Sequence, residues 1–318
     1  MKKILVFLKK NMVVVIPAAM FLGVVYGALF SAVWLSVLIV PLTFLMVYPM
    51  MVTMDFSALA GGGDFKLQMV VLLINFCFMP FVAYFTGKMF FADRPVTVLG
   101  LLLAGLLPTS GMTISWTGFA KGNIGAAVKM TVIGLIAGSV FAPLYVKFLM
   151  GQSVDISLLS VFKQIIVIVA CPMLAGFITR LILVNKYSME VFNRDIKPIF
   201  PGISVLGVVS IVFVAMALKA KMILGQPQML FVIIVPLMIL YLFNFVFSTI
   251  VAKIFFNRED GIALVYGTVM RNLSIALAIV MTAFGKDAMG SALVVAIAYI
   301  VQVQSAAWYV KLTSKIFT

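Results

Sequence analysis

Long apolar segments follow one another along almost all of the 318-residue chain, separated by short polar connections. A helix needs about 20 apolar residues to cross the roughly 30 Å hydrocarbon layer of a bilayer, and most of these segments reach that length. The short alternating segments of a membrane β-barrel are not seen. The pattern therefore predicts an all-α polytopic membrane protein. Its ten transmembrane helices are placed near residues 12–31, 33–53, 68–91, 97–118, 124–150, 158–184, 201–224, 228–252, 261–284 and 289–312.

The composition also indicates a membrane protein, and it limits the kinds of partner that we expect. Hydrophobic residues make up 64% of the chain and charged residues only 10%, whereas soluble proteins are nearer half apolar and a quarter charged. The net charge of +14 does not indicate nucleic-acid binding, because Lys and Arg beside spans are typical of cytoplasmic loops. The lipid bilayer is the expected partner. The absence of histidine excludes imidazole metal sites and Ser-His catalysis. Cys77 and Cys171 lie in apolar runs, where we expect buried thiols acting as small hydrophobic residues.

The distribution of basic residues predicts the orientation of the chain. If the N-terminus is cytoplasmic, the cytoplasmic segments hold 14 of the 23 Lys and Arg residues and the opposite segments hold 7. Because cytoplasmic loops carry the excess of positive charge, both termini are expected in the cytoplasm. The first apolar run is long and lacks a clear small-residue cleavage site, so we predict a retained helix rather than a signal peptide. The expected location is the inner (plasma) membrane.

An internal repeat with an offset of 165 residues divides the chain in two. The sequence KMFFADR at 88 resembles KIFFNRE at 253, and FAKGNIGAAV at 119 resembles FGKDAMGSAL at 284. Without a gap, residues 88–127 and 253–292 share ten identities. We therefore predict two units, residues 1–157 and 158–318. Each contains five spans, an odd number, so the second unit is inverted, as is usual in secondary transporters.

The fourth span is interrupted by the polar sequence PTSGMT, which begins at Pro108. Proline removes a helical N–H and clashes with the preceding turn, and such a break persists in a membrane only inside protein or beside a wet cavity. The offset places a matching break, GTVMRNLS, in the ninth span and sets Thr109 opposite Ser274. Two half-helix N-termini with partial positive charge would meet there and favour an anion. The alternative is a purely structural break, since Pro and Gly are ordinary in membrane helices.

Two of the 23 basic residues are assigned to neither side of the membrane. Lys129 and Arg271 belong to neither membrane side, whereas all nine acidic residues fall at or near span ends. An intramembrane cation without a carboxylate partner costs about 3 kcal/mol on insertion scales, although Lys129 lies near enough to its helix end that snorkelling is an alternative. An anionic substrate would supply the missing charge. The candidate substrate-binding residues are therefore Thr109, Ser110, Gly111, Thr113, Lys129, Arg271, Asn272 and Ser274.

Three motifs carry a family resemblance over the whole chain. NFCFMP in the third span is similar to Q-F-x-x-M-P, PTSGMTISWTGFAKGN in the fourth to P-G-G-T-x-S-N followed by L-A-K-G-D, and GTVMRN in the ninth to E-x-G-M-Q-N. Together they resemble the bile acid:sodium symporter superfamily, which includes arsenite-efflux permeases. The resemblance implies that spans four and nine are broken and cross in a core of spans 3–5 and 8–10. It also implies a panel of spans 1, 2, 6 and 7 that moves against this core.

The chain departs from the family motifs at the residues that bind sodium. The resemblance implies a ninth-span glutamate that helps to hold the ions, but Gly267 stands there, and Arg271 replaces the glutamine after the methionine. Similar groups for a weak ion site remain at Asn75, Thr113, Thr131 and Met270. Because a fixed guanidinium would repel sodium, these replacements argue against two-sodium coupling. We expect no cofactor, and a bound sodium ion is the alternative.

These features predict a secondary transporter that moves a small organic anion, a carboxylate, by alternating access. The alternative is an arsenite or metalloid efflux permease, because the second span resembles that branch. The cysteine and glutamate that the branch uses align with Thr109 and Ser274, however, and neutral arsenite would not need Arg271. A membrane-embedded enzyme or sensor is not favoured, because the spans contain no acid–base pair and the chain has no soluble module. A homodimer is one open assembly.

Overall fold

The computed structural model describes residues 11–54, 64–151, 170–225, 228–283 and 289–317, with residues 163 and 167 in addition. Within these ranges the chain is helical apart from short connections and one isolated β-bridge. The repeat boundary at 157/158 and the start of the repeat motif at 284 lie outside the described residues.

The α-helices follow the apolar segments closely. They are α1 (Met12–Leu29), α2 (Ile39–Val52, after the 3-10 turn Val33–Leu38), α3 (Phe65–Leu73), α4 (Met79–Phe91), α5 (Pro95–Leu106), α6 (Gly111–Phe119), α7 (Ile124–Met150), α8 (Cys171–Val191), α9 (Phe200–Gly225), α10 (Gln228–Phe255), α11 (Arg258–Val269), α12 (Leu273–Ala283) and α13 (Met289–Ile316). A π-helical turn, Ile74–Phe78, joins α3 to α4 as one continuous span.

Six helical stretches among the described residues are long and apolar enough to cross a bilayer. One of them, Cys171–Leu218, has 48 residues and at about 1.5 Å per residue is more than twice as long as one crossing requires. The backbone divides it at Ser188, which has a φ of 67°. This stretch therefore holds the sixth and seventh spans, and the shorter helices α1, α5–α6 and α11–α12 account for the first, fourth and ninth.

The longest polar connection in the sequence, residues 185–198, is itself helical. α8 continues to Val191, and a π-helical turn, Phe192–Ile196, and a 3-10 turn, Lys197–Ile199, lead directly into α9. Apart from the break at Ser188 the backbone of this stretch is helical, although its charged residues interrupt the apolar pattern. The sequence therefore suggests a longer loop than the structure has.

α1, α2, α8 and α9 form one packed group, in which α9 contacts both α1 and α2, and α8 contacts α2. Small residues allow the close approach: a Cβ added at Gly23 of α1 would lie 2.5 Å from the carbonyl oxygen of Phe213 in α9. Close packing at glycine is a common means of association in membranes, where lipid competes for apolar contacts. These are the helices assigned to the panel, and its movement stays a prediction.

The outer surface is as apolar as the interior. Large side chains such as Phe21, Phe85 and Phe148 are exposed, as expected of positions that face lipid. Cys77 and Cys171 are exposed as well, so the expectation of buried thiols is wrong. An apolar run in a membrane helix does not distinguish the protein-facing side from the lipid-facing side, because both surroundings are apolar.

Candidate functional site

The two broken spans meet at their breaks, and the unwound segments pair with each other. The N–H of Thr109 donates to the carbonyl of Met270 at 2.8 Å, and the N–H of Asn272 donates to the carbonyl of Leu107 at 2.8 Å. Breaking a helix in a membrane leaves backbone groups without partners or water. These two hydrogen bonds satisfy four such groups and fix the crossing.

The pairing differs by two residues from the offset seen in the sequence. The antiparallel bridge joins Pro108 to Arg271, and 271 − 108 = 163, whereas the offset of 165 sets Thr109 opposite Ser274. α5 and α11 also begin 163 residues apart, while α7 and α13 begin 165 apart. The offset is therefore 163 in the broken spans but 165 at the motif that starts at 88 and 253 and again at the start of α7 and α13, and an alignment without gaps does not detect this change.

Both half-helices that leave the crossing are capped by a polar side chain. Ser110 Oγ accepts from the N–H of Met112 at 3.2 Å, and Thr113 Oγ1 accepts from the N–H of Ser110 at 3.1 Å. At α12, Asn272 Oδ1 accepts from the N–H of Ile275 at 3.2 Å. The first N–H groups of a helix have no intrahelical acceptor and carry partial positive charge. α6 and α12 thus direct two positive helix ends toward one point.

A cavity of about 690 Å³ opens at this point, between α6, α7, α12 and α13 on one side and α2, α9 and the turns 192–199 on the other. Its polar lining at the crossing consists of Ser110, Gly111, Thr131, Arg271, Ser274 and Tyr299. The remaining walls are largely apolar, with side chains such as Met50, Met54, Ile124, Val128 and Val208. A ligand in this cavity would meet charge and hydroxyl groups at one end and apolar surface elsewhere.

Arg271 is the charged group of the crossing. Its side chain lines the cavity, only 2% of the residue is exposed, and neither Nη1 nor Nη2 has a hydrogen-bond partner within the described part of the chain. Buried polar groups are nearly always paired, and an unpaired one calls for an explanation such as a missing ligand. The backbone of Arg271, by contrast, is held firmly: its N–H donates to Gln302 Oε1 at 2.8 Å, and Gln302 Nε2 donates to its carbonyl at 3.2 Å.

Comparison with known proteins places the chain in a family. The profile of the Sodium Bile acid symporter family matches residues 40–226. The chain belongs to this family. It is 23% identical to an arsenical-resistance protein of Alkaliphilus metalliredigens, over 97% of this chain and 93% of the relative. It is 26% identical to an uncharacterized sodium-dependent transporter of Bacillus subtilis, over 81% and 78%, and 26% identical to a probable chloroplastic sodium/metabolite cotransporter of Arabidopsis thaliana, over 73% and 56%.

The position that the family resemblance assigns to a sodium-binding glutamate has no side-chain ligand here. Gly267 is packed without a side chain, since an added Cβ would lie 2.5 Å from Met130 Sδ. Asn75 donates through Nδ2 to the Gly267 carbonyl at 3.0 Å, which leaves its Oδ1 as a buried acceptor without a partner. Neither position offers a carboxylate, and Arg271 lies four residues beyond Gly267 with a positive charge. The described residues contain no group of His, Cys, Asp or Glu arranged to hold a metal.

Lys129 differs from the prediction. Its Nζ donates to Asp64 Oδ1 at 2.6 Å, so the premise that Lys129 has no carboxylate partner is wrong. Lys129 is the sixth residue of α7, about 8 Å along the axis from the helix start, and its long side chain reaches the carboxylate that precedes α3. Desolvation raises the pKa of Asp64, but hydrogen bonds from Lys129 and Gln68 outweigh it, and the pKa lies below its ordinary value. This pair lies outside the cavity lining.

The other predicted residues divide between the cavity and its support. Ser110, Gly111, Thr131 and Ser274 line the cavity with Arg271. Thr113 and Asn272 cap the half-helices instead, while Asn75 and Met270 are buried outside the lining. Thr109 has a φ of 58° and donates through Oγ1 to the carbonyls of Pro108, at 2.8 Å, and Met130, at 3.3 Å. It therefore holds the break against α7.

Sequence reasoning missed the polar residues of the last helix. Tyr299 and Gln302 lie one turn apart on α13 and face Ser274 and Arg271, which are also three residues apart. The hydroxyls of Tyr299 and Ser274 are 2.7 Å apart, and Tyr241 donates to Gln302 Oε1 at 2.8 Å. The sequence did contain a signal for these residues, namely a tyrosine and a glutamine three residues apart in a mostly apolar span. Asn193 and Lys197, from the turns before α9, also line the cavity and were missed.

Proposed function

We propose that this protein is a secondary transporter of a small organic anion, a carboxylate, and works by alternating access. The observation that carries the proposal is Arg271, a buried guanidinium that lines the cavity and whose terminal nitrogens have no partner among the residues that the structure describes. A carboxylate matches the planar, forked geometry of a guanidinium and forms two charge-assisted hydrogen bonds with it.

The groups around Arg271 suit the rest of such a ligand. The hydroxyls of Ser274 and Tyr299 lie in the same lining and donate or accept hydrogen bonds. The N-terminal ends of α6 and α12 add partial positive charge without a further side chain. The apolar walls, which include Met50 and Val208, would contact the hydrocarbon part of the anion. An anion with one carboxylate and an apolar body fits this distribution.

The position of the cavity between two groups of helices supports the proposal of alternating access. α2, α9 and the turns 192–199 bound one side and belong to the packed group that includes α1 and α8. α6, α7, α12 and α13 bound the other side and hold the crossing. Rocking of the first group against the second would expose the same site to each side of the membrane in turn, as in transporters built around a fixed midplane site.

Counterflow into proteoliposomes tests this function. Vesicles loaded with unlabelled acetate, pyruvate, hexanoate or succinate are given the same labelled compound outside, and at least one of the four should enter. Arg271→Ala should reduce that uptake about 100-fold, because hydrogen bonds to a charged group contribute about 1.5–3 kcal/mol. Arg258→Ala is the matched control, since Arg258 lies at the far end of α11, where its Nε donates to the carbonyl of Phe317. Full uptake by the Arg271 variant would refute the role assigned to that residue.

Arsenite efflux is the second candidate, because the arsenical-resistance relative aligns over 97% of this chain. Neither described cysteine, Cys77 nor Cys171, lines the cavity, so thiolate binding of arsenite has no group there. Growth of an arsenite-sensitive host that expresses the protein measures this activity. Protection that increases with Thr109→Cys would favour the efflux permease over the carboxylate carrier.

A further inference from the structure

We propose that the protein is an obligatory anion exchanger, in which the carrier crosses between its two states only with an anion bound to Arg271. The proposal rests on the carboxylate transport proposed above and adds the mode of coupling. It assigns to the guanidinium the coupling role that a bound cation has in a sodium symporter, with the difference that this cation never leaves the protein.

Arg271 keeps its charge in every state of the carrier. Arginine does not lose its proton in proteins. Its main chain is fixed by the bridge to Pro108 and by both polar atoms of the Gln302 side chain. The residue lies between two half-helices of 12 and 11 residues, too far from either end of the span for the side chain to reach the membrane surface. The charge must therefore be compensated where it is.

The described part of the protein offers no carboxylate that could compensate the charge of Arg271. The described acidic residues all lie at helix ends or connections: Asp64, Asp93, Glu190, Asp195, Glu259 and Asp260. Asp64 pairs with Lys129 and Asp195 with Arg194, while Asp260 accepts from Asn123 and Asn257. The lining residues that the structure describes include no carboxylate, so none of them offers an acidic site through which a proton could replace the anion.

Closure would change the surroundings of the guanidinium. While the cavity is open, Arg271 adjoins the water of the cavity that it lines, although only 2% of the residue is exposed. Movement of the panel against the core would exclude that water and leave an unpaired cation in surroundings of low dielectric. A bound monocarboxylate would compensate the charge of Arg271 in the closed site, whereas an empty closed site would leave that charge uncompensated. The loaded carrier should therefore cross readily, and the empty carrier should cross slowly.

The expected difference is large. The cost of an uncompensated arginine at the centre of a membrane on insertion scales corresponds to about 100-fold in rate or population. Uptake of a labelled carboxylate into vesicles that contain none should thus be about 100-fold slower than counterflow into vesicles that contain the unlabelled compound.

The experiment compares the two vesicle types with the same four labelled compounds, acetate, pyruvate, hexanoate and succinate, in a chloride-free potassium HEPES buffer with valinomycin. Potassium then compensates the charge of an anion that enters alone, and uptake into protein-free vesicles is subtracted. Wild type should show fast uptake only into loaded vesicles, and external sodium added to the potassium buffer should change neither rate. Arg271→Lys keeps the positive charge and should keep a large ratio of loaded to empty uptake. Arg271→Gln removes the charge, and its residual uptake, although slower, should show a ratio near one.

The outcomes separate the two proposals. If none of the four carboxylates enters either vesicle type, the proposed transport function is wrong. If a carboxylate enters loaded and empty vesicles at the same rate in wild type, carboxylate transport stands and obligatory exchange is overturned. Uptake into empty vesicles that requires sodium would overturn it as well, because the ion would then provide the coupling. Thermal unfolding of each variant shows whether a lost signal reflects loss of the fold.

Discussion

Lys129 and Arg271 lie in two regions of the molecule, and their surroundings differ in whether a carboxylate is present. At the rim, Lys129 of α7 meets the carboxylate of Asp64 at 2.6 Å. At the crossing, Arg271 is buried with both terminal nitrogens unpartnered among the described residues. Lysine near a helix end can reach a partner at the surface, whereas an arginine in a clamped break cannot. Lys129, which is paired with a carboxylate, stabilises the fold. Arg271, which has no such partner among the described residues, is available to a ligand.

The largest expected effect comes from removing each cation in turn and measuring ligand-induced stabilisation. Hexanoate at 100 times its Kd should stabilise the wild-type protein by about 2.7 kcal/mol, seen as a rise in Tm. Arg271→Met should abolish this rise, because the charge-assisted bonds to the carboxylate are lost. Lys129→Met should retain it, even if the unliganded Tm falls. Loss of the rise in Lys129→Met alone would reverse the comparison and return Lys129 to the site.

The two cations also show which features of the site the sequence could predict and which it could not. The apolar pattern predicted α7 at residues 124–150, the bounds that the structure has, because length and composition determine a membrane helix. Pro108 and the polar residues around Arg271 located both breaks for a similar local reason. The Lys129–Asp64 pair joins residues 65 positions apart, and no local pattern indicates which rim acid lies beside which helix.

The residues that support the site could not be predicted from the sequence for a related reason. Gln302 acts on the main chain of Arg271 across 31 positions, and only the packing of α13 against the break reveals it. Likewise, the pairing of Pro108 with Arg271 at an offset of 163 is seen only in the structure. The sequence identities at an offset of 165, on both sides of the breaks, do not indicate it.

A smaller effect is expected at the rim, where the pair can be broken from the acidic side. Asp64→Asn removes the charge that faces Lys129, whose side chain is 12% exposed. A pair that is partly shielded from water should contribute about 1–2 kcal/mol, between the values for surface and buried pairs. Thermal or denaturant unfolding in detergent should show that loss, with ligand-induced stabilisation unchanged. The double variant Asp64→Asn/Lys129→Met should recover part of it, and additive losses would show that the pair does not couple.

The smallest effect should come from a neutral group beside Arg271. Tyr299→Phe removes one hydroxyl from the cavity lining and its 2.7 Å contact with Ser274. A single neutral hydrogen bond contributes about 0.5–1.5 kcal/mol, so the affinity for a carboxylate should fall about three- to tenfold. Tyr266→Phe is the matched control, since its hydroxyl donates to the carbonyl of Ala306 at 3.2 Å and lies outside the lining. Titration of the ligand-induced Tm shift measures both. An equal loss in the two variants would mean that the Tyr299 hydroxyl supports packing, and that Arg271 binds the anion without it.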